Sequence, residues 1–365
     1  MPQDRIYSLD YLRGVTALAI MFFHLTSWTY GKYSAEHLMG RIGLYGVSVF
    51  YILSGLTLYL IYINSLKPEW RSLLIFGIKR TFRIYPLLWL IVGLTLLISP
   101  KLYSPTALFL SITGLFGFLK PAAGLGTGVW SIGNELVFYA TFPILILIAQ
   151  FSRKFFLIVA GLLVAVSLYF AFFVLKTNLP ISKQWHWYVN SLNQMVLFVG
   201  GMLLGYLLLK FPDKKPAVWL SVLVLILAFS LFTYYPVSGD RIVLVVGWNR
   251  VIFLALSFFI CTAVYFLNFR LPAFLHKPLT LTAEISFGLY LLHPIVYFFL
   301  TGRFAKQLET VNQPALVLGI AALAYTLSYL ACRFIEIPAV DFGKILTENL
   351  KNRPSTKKQR KSSFL

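Results

Sequence analysis

Long apolar runs separated by short polar segments dominate this chain. Ten runs can each cross about 30 Å of hydrocarbon as a helix, at residues 11–30, 42–63, 84–100, 135–151, 155–175, 190–209, 217–235, 250–268, 281–300 and 314–335. They predict an all-α polytopic membrane protein with about ten transmembrane helices. A further apolar stretch at 104–119 is short and contains Gly114 and Gly117, which favours a re-entrant or interfacial segment.

Composition supports the same class of protein. The chain has 365 residues, of which 59% are hydrophobic and 12% charged, a balance that excludes an ordinary soluble domain. Its formal net charge is +20. The basic residues lie in loops between the runs and not on one polar face, so membrane topology explains them better than a nucleic-acid partner.

The distribution of Lys and Arg predicts the orientation. With a cytoplasmic N-terminus, 20 basic residues fall in cytoplasmic loops and the tail and 10 on the opposite side, as the positive-inside rule requires. Both termini are therefore predicted to be cytoplasmic, in a multi-pass protein of the inner (plasma) membrane. Residues 1–340 are expected to form a single transmembrane domain, and 341–365 a basic, disordered tail that can lie on anionic lipid.

The first apolar run contains two ionisable residues, Arg13 and His24. Their separation of eleven positions is close to three helical turns, so both share one face, about 16 Å apart along the axis. Ionisable groups at bilayer depth are costly and usually mark a functional site. The alternative is that Arg13 only anchors the helix at the interface and His24 is a hydrogen-bonded packing residue.

A second basic group follows the second run, in the loop KPEWRSLLIFGIKRTFRIYP. Arg80 and Arg83 are one helical turn apart, so they present two guanidinium groups on one face. Such a pair suits a phosphorylated ligand. Ordinary positive-inside charge is the alternative explanation.

An acidic residue, Glu135, begins the fourth run in the stretch SIGNELVFYATFP, with Ser131 one turn earlier. A carboxylate at a helix start can serve only as a partner of the helix dipole. The capping-box spacing, however, would need the acid at Asn134. We therefore favour a Glu135 that hydrogen-bonds His24 or a substrate hydroxyl.

Two later features have a structural and a functional interpretation. Gly200 and Gly201 allow close approach of another helix or a ligand, and helix packing is the preferred explanation. Tyr290 and His293 are one turn apart in the ninth run, where a tyrosine–histidine hydrogen bond as structural glue is as plausible as a site role. No spacing of His, Cys or acidic residues predicts a metal site.

Read in order, these segments resemble the acyltransferase-3 family of integral membrane acyltransferases, from the first run to the ninth. The opening segment is similar to the family's arginine–ten residues–histidine signature, and Gly200 with Gly201 to its double glycine. The other similar motifs are SVFYILSGL, RTFRIYP, SIGNELVFYATFP and ISFGLYLLHP.

The resemblance implies transfer of an acyl group, most often acetyl, from cytoplasmic acyl-CoA to a sugar hydroxyl of a surface or exported glycan such as lipopolysaccharide. His24 would act as general base or transient acyl carrier, with Glu135 orienting it. Arg13, Arg80 and Arg83 would bind the donor. The supporting residues would be Ser131, Gly200, Gly201, Tyr290 and His293.

The partners implied are acyl-CoA as a co-substrate, a glycan or lipid-linked glycan acceptor, and membrane lipids, with no permanently bound cofactor. Two other classes stay open on the residues alone. In a transporter or flippase of a glycan or organic acid, Arg13, His24 and Glu135 would form a polar path. In a scaffold protein, the basic patches would serve only topology and lipid contact.

Overall fold

The computed structural model describes residues 5–99, 102–212 and 215–352, and within these ranges it is all-helical, without strands. This confirms the predicted all-α class. The helices are α1 Tyr7–Tyr30, α2 Leu38–Tyr62, α3 Trp70–Ile98, α4 Pro105–Thr113, α5 Phe116–Leu119, α6 Val129–Phe151, α7 Arg153–Tyr169, α8 Trp185–Tyr188, α9 Ser191–Lys210, α10 Val218–Tyr234, α11 Gly247–Leu267, α12 Ala273–Glu284, α13 Ser286–Arg303, α14 Ala305–Leu308, α15 Gln313–Ala331 and α16 Ile337–Asn352.

Seven helical segments of the described chain are long and apolar enough to cross a membrane, or up to eight when the bent pair α12 and α13 counts as one span. Helices of this length and apolarity are needed to cross the hydrocarbon core of a bilayer, so the chain is a multi-pass membrane protein. Helix α1, which carries Arg13 and His24, is less apolar than these seven, and α10 has only 17 residues. Ten spans and two cytoplasmic termini stay predictions.

The apolar stretch 104–119, which was expected to be re-entrant or interfacial, forms two short helices. Ser104 caps α4 by accepting a hydrogen bond from the Ala107 backbone N–H, with Pro105 at the first helical position. Gly114 then adopts a left-handed conformation with φ 73°, which glycine permits at low cost, and separates α4 from α5. At 1.5 Å per residue neither helix can cross a bilayer.

Two breaks interrupt the later helices. The predicted ninth run crosses the junction of α12 and α13, where the chain bends by 69°. A π-helical turn, Cys332–Glu336, joins α15 to α16. Helix α16 extends to Asn352 and so runs through residue 341, where the disordered tail was predicted to begin. The rest of that tail, residues 353–365, lies outside the described residues.

Helix α2 lies at the centre of the bundle and is the most buried of the seven segments. It packs closely against α9 through glycines on both helices. A side chain at Gly55 would collide with the Phe198 carbonyl, and one at Gly201 with the Ile52 carbonyl. A side chain at Gly200 would likewise collide with the ring of Phe258. Both glycines of the pair therefore lie at close contacts between helices.

The position of α1 follows from a second apolar cluster. Ala17, Met21 and Leu25 of α1 pack with Leu289 and Val296 of α13. Ile20 and Phe23 of α1 lie against α2, where Gly46 and Gly43 leave room for them. Helix α1 is therefore held between α2 and α13, which brings Arg13 and His24 towards the protein interior.

We predict that Gly201→Ala destabilises the protein by about 1–3 kcal/mol, because the added methyl group overpacks the contact with α2. Thermal unfolding of the purified protein in detergent measures the effect. Gly161→Ala on α7 is the control, because its new methyl group meets nothing within 4 Å. This substitution also replaces glycine, a poor helix former, by alanine. Equal melting temperatures for the two variants would contradict the packing assignment.

Candidate active site

Three arginines from two helices, α1 and α3, meet at one cavity. This arginine cavity, of about 240 Å³, lies between α1, α2, α3, α6 and α13. Six residues singled out from the sequence line it, namely Arg13, Arg80, Arg83, Ser131, Glu135 and Tyr290. The fold therefore gathers residues that are up to 277 positions apart in the sequence, Arg13 and Tyr290, at one site.

Arg80 and Arg83 lie inside a helix and not in a loop as predicted. Helix α3 begins at Trp70 and includes both the polar stretch that carries the two arginines and the apolar run that follows it. Arg80 lies over the rings of Phe76 and Tyr139, at 5.8 and 5.6 Å from their centroids. Its Nε atom is buried and has no hydrogen-bond partner among the described residues, so ring stacking positions the group at the cavity wall.

Arg83 has a resident partner that sequence reasoning missed. One of its guanidinium nitrogens lies 3.0 Å from Oε2 of Glu336, a carboxylate in the π-helical turn that is 2% exposed. The other oxygen, Oε1, has no hydrogen-bond partner in the described chain. Glu336 follows directly after the last predicted run, and an acidic residue at the edge of an apolar run is a sequence signal that could have identified it. The pair holds Arg83 in place and offsets part of its charge.

Glu135 lies well inside α6. That helix begins at Val129, with Gly128 as its N-cap residue, so Glu135 is nearly two turns from the start and does not serve as a helix-start group. Its carboxylate faces the arginine cavity and interacts electrostatically with the surrounding guanidinium groups of Arg13, Arg80 and Arg83. In the described structure it does not hydrogen-bond His24.

His24 faces a second cavity of about 290 Å³, which we call the histidine cavity. Trp130, Trp185 and the glycine-rich loop Gly124–Gly128 form much of its lining. Val47 and Tyr290 line both this cavity and the arginine cavity. Arg13 and His24 therefore serve neighbouring cavities that share a wall, as expected for residues on one helical face.

The hydrogen-bond partner of His24 is His293. The two rings join through Nδ1 of His24 and Nε2 of His293 at 2.9 Å, while Nδ1 of His293 lies 2.7 Å from the Leu289 carbonyl oxygen. A carbonyl only accepts, so Nδ1 of His293 carries a proton. With both rings neutral, Nε2 of His293 accepts and Nδ1 of His24 donates. This leaves the lone pair of His24 Nε2 available as a base or nucleophile.

Tyr290 and His293, for which a mutual hydrogen bond was one of two interpretations, meet edge-on with ring centroids 6.3 Å apart and form no hydrogen bond with each other. Tyr290 instead donates to the Gly128 carbonyl oxygen at 3.4 Å, and Ser131 donates to the same oxygen at 2.9 Å. The left-handed conformation of Gly128, with φ 86°, places this carbonyl beside the Tyr290 ring. Ser131 and Tyr290 thus hold the loop between the two cavities, whereas Gly200 and Gly201 line neither.

Residues 6–333 match a family model described as an acyltransferase domain. The chain belongs to the acyltransferase-3 family. No curated protein and no solved structure matches it. It is therefore an acyltransferase whose two cavities lie within the region that defines the family.

Several residues of this acyltransferase were not singled out from the sequence. Trp28 stacks on His24, with ring centroids 5.0 Å apart and planes at 10°. Its position four residues after His24 on the same helix was a usable signal. No sequence signal pointed to Asn134, because its hydrogen bonds to Tyr51 on α2 and Ser191 on α9 depend on tertiary contacts.

We predict that His24 carries its proton on Nδ1. Nitrogen-15 NMR of histidine-labelled protein in lipid measures this, with the His24→Ala spectrum assigning the signal among the five histidines. His293→Phe removes the acceptor and should shift His24 towards a mixture of tautomers. His186→Phe, at an exposed histidine, should not. A wild-type His24 protonated on Nε2 would refute the hydrogen-bond assignment.

Proposed function

We propose that this acyltransferase moves an acyl group, preferably acetyl, from cytoplasmic acyl-CoA to a hydroxyl of a glycan, such as a surface or exported polysaccharide. One observation supports the proposal above all others. A cavity lined by Arg13, Arg80 and Arg83 shares a wall with a cavity that holds a histidine with a free Nε2. An anionic donor and a neutral hydroxyl acceptor would occupy two such neighbouring cavities.

The arginine cavity is the proposed donor site. Guanidinium groups form strong, often bidentate bonds to phosphate oxygens, which suits coenzyme A. A cavity of about 240 Å³ is small for a ligand of that size. We therefore assign it the thioester end of the donor and the phosphate groups nearest to it, with the nucleotide outside. The serine and tyrosine hydroxyls on its wall, from Ser54, Tyr139 and Tyr290, can orient the pantetheine amides.

The histidine cavity is the proposed acceptor site. Trp130 and Trp185 present aromatic faces and the loop Gly124–Gly128 presents backbone groups, a combination of apolar walls and a few polar groups that suits a small polar ligand. The acceptor hydroxyl would lie against His24 Nε2. Tyr290 and Val47 form the wall at which donor and acceptor meet.

The proposed reaction is a direct transfer with His24 as general base. Nε2 of His24 removes the acceptor proton while the hydroxyl oxygen attacks the thioester carbonyl. The C–S bond breaks, an ester forms, and the departing CoA sulfur takes the proton from His24. His293 retains its bond to Nδ1 throughout and disperses the imidazolium charge. Transient acylation of Nε2 is the other route open to the same lone pair.

Glu135 has a different role from the one expected for it. Because it lies among the arginines and not beside His24, we propose that it offsets part of the cationic charge. Asp10 and Glu336 already pair with Arg13 and Arg83, and Glu135 would add a third negative charge that lowers the repulsion between the guanidinium groups. Glu135 thereby keeps the donor from binding too tightly to be released.

The first experiment measures acyl-CoA thioester turnover and CoA binding by the purified acyltransferase in lipid. Wild type should release CoA slowly from acetyl-CoA without an added acceptor. His24→Ala should lose this release by at least about 100-fold, the usual contribution of a general base, while CoA binding is retained. Absence of both binding and turnover in well-folded wild-type protein would reject the proposal and favour transport.

Arg80→Ala should weaken CoA binding roughly tenfold or more, since a bond between charged groups contributes about 1.5–3 kcal/mol. Isothermal titration measures the dissociation constant. Lys79→Ala is the matched control, because that cation neighbours Arg80 but does not line the cavity. Arg83→Ala is best tested together with Glu336→Gln, which avoids an unpaired buried carboxylate. Unchanged binding in both arginine variants would remove the donor assignment.

A further inference from the structure

A third cavity lies apart from the two described above. It has a volume of about 530 Å³ and lies where α2, α6 and α9 end and α7 begins. Its polar lining consists of Tyr59, Asn64, Gln150, Arg153, Tyr206 and Lys210. We call it the tyrosine cavity. None of its lining residues lines the arginine or histidine cavity.

Its charge is positive and unpaired within the described chain. Arg153 and Lys210 line the cavity, no acidic residue does, and neither cation forms an ion pair with a described residue. Lys210 also lies over the rings of Tyr206 and Phe211, at 5.8 and 5.1 Å. A cation in the last turn of a helix is helped by the helix dipole, so the charge alone does not define a site.

The two tyrosines supply the second, independent observation. Tyr59 and Tyr206 are 3% and 7% exposed, yet both line the cavity. Neither hydroxyl forms a hydrogen bond with a described residue, and neither oxygen is enclosed by the protein, so both hydroxyls are open to the cavity. Gly205 makes room for this arrangement, because a methyl group there would press against the Tyr59 ring. Two unpartnered donors thus lie beside two unpaired cations.

Donors and cations of this kind suit the oxygens of a phosphate group. The surroundings favour a phosphate that carries an apolar tail. Leu209 lines the cavity and is 42% exposed, and Phe151 and Phe155, close to Arg153 in sequence, are 93% and 51% exposed. Exposed apolar side chains and the two exposed cations Arg153 and Lys210 therefore lie close together at the mouth of the cavity, as expected of a site for an anionic lipid between helices.

We propose that the tyrosine cavity binds the phosphate headgroup of an anionic phospholipid. Arg153 and Lys210 neutralise the phosphate, the hydroxyls of Tyr59 and Tyr206 donate hydrogen bonds to its oxygens, and the acyl chains leave past Leu209. Such a lipid would join the ends of four helices, α2, α6, α7 and α9. The proposal is independent of the chemistry assigned to His24.

Native mass spectrometry of the full chain, titrated with phosphatidylglycerol and separately with phosphatidylcholine, tests the site. Wild type should bind phosphatidylglycerol preferentially. Arg153→Gln with Lys210→Gln should weaken that binding by on the order of 25-fold, taking roughly fivefold for each cation near a lipid surface. Lys154→Gln with Lys215→Gln is the matched control, because it removes the same charge from exposed residues that do not line the cavity.

A second variant keeps the packing intact. Tyr59→Phe with Tyr206→Phe removes only the two hydroxyls and should weaken phosphatidylglycerol binding roughly tenfold or more. Equal losses in the charge variant and its control would show diffuse attraction and overturn the proposal, as would equal binding of the two lipids. Glycerol phosphate that binds as tightly as the lipid would assign the site to a free phosphate and overturn the lipid assignment.

Discussion

The placement of ionised groups between apolar helices is the constraint on which the rest of this structure depends. Arg13, Arg80, Arg83, Glu135 and Glu336 all lie in or beside one small cavity. Charges in a low-dielectric interior need partners, since an isolated one costs several kcal/mol. Asp10 pairs with Arg13, Glu336 pairs with Arg83, and aromatic rings lie beside Arg80. Arg80 forms no ion pair with a described residue, so it is the arginine that an anionic ligand would neutralise.

The division into two cavities follows from how α1 is held. Its apolar residues face α13 and α15, and its polar face turns towards the arginine and histidine cavities. Tyr290 stands between the two and is fixed by its bond to the Gly128 carbonyl. In the proposed function, donor and acceptor would approach this wall from different sides, which would orient the reacting groups.

The histidine pair shows how a hydrogen-bond chain can select reactivity. Leu289 offers only a carbonyl, which requires a proton on His293 Nδ1 and directs the remaining bond towards His24. In hydrolytic triads a carboxylate has this role and also stabilises charge. In the proposed reaction a neutral imidazole would take its place, which avoids a further buried charge inside the helix bundle.

Periodicity and composition alone established the helical membrane class, because twenty apolar residues in succession leave a helix as the only simple way to satisfy the backbone in lipid. The same-face relation of Arg13 and His24 also follows from helical spacing. Helix boundaries did not, since α3 and α6 begin in polar sequence that tertiary contacts stabilise. The partners of His24 and Arg83 were likewise decided only by the fold, because His293 and Glu336 lie more than 250 positions away in the chain. No local pattern can encode contacts that depend on how distant helices pack.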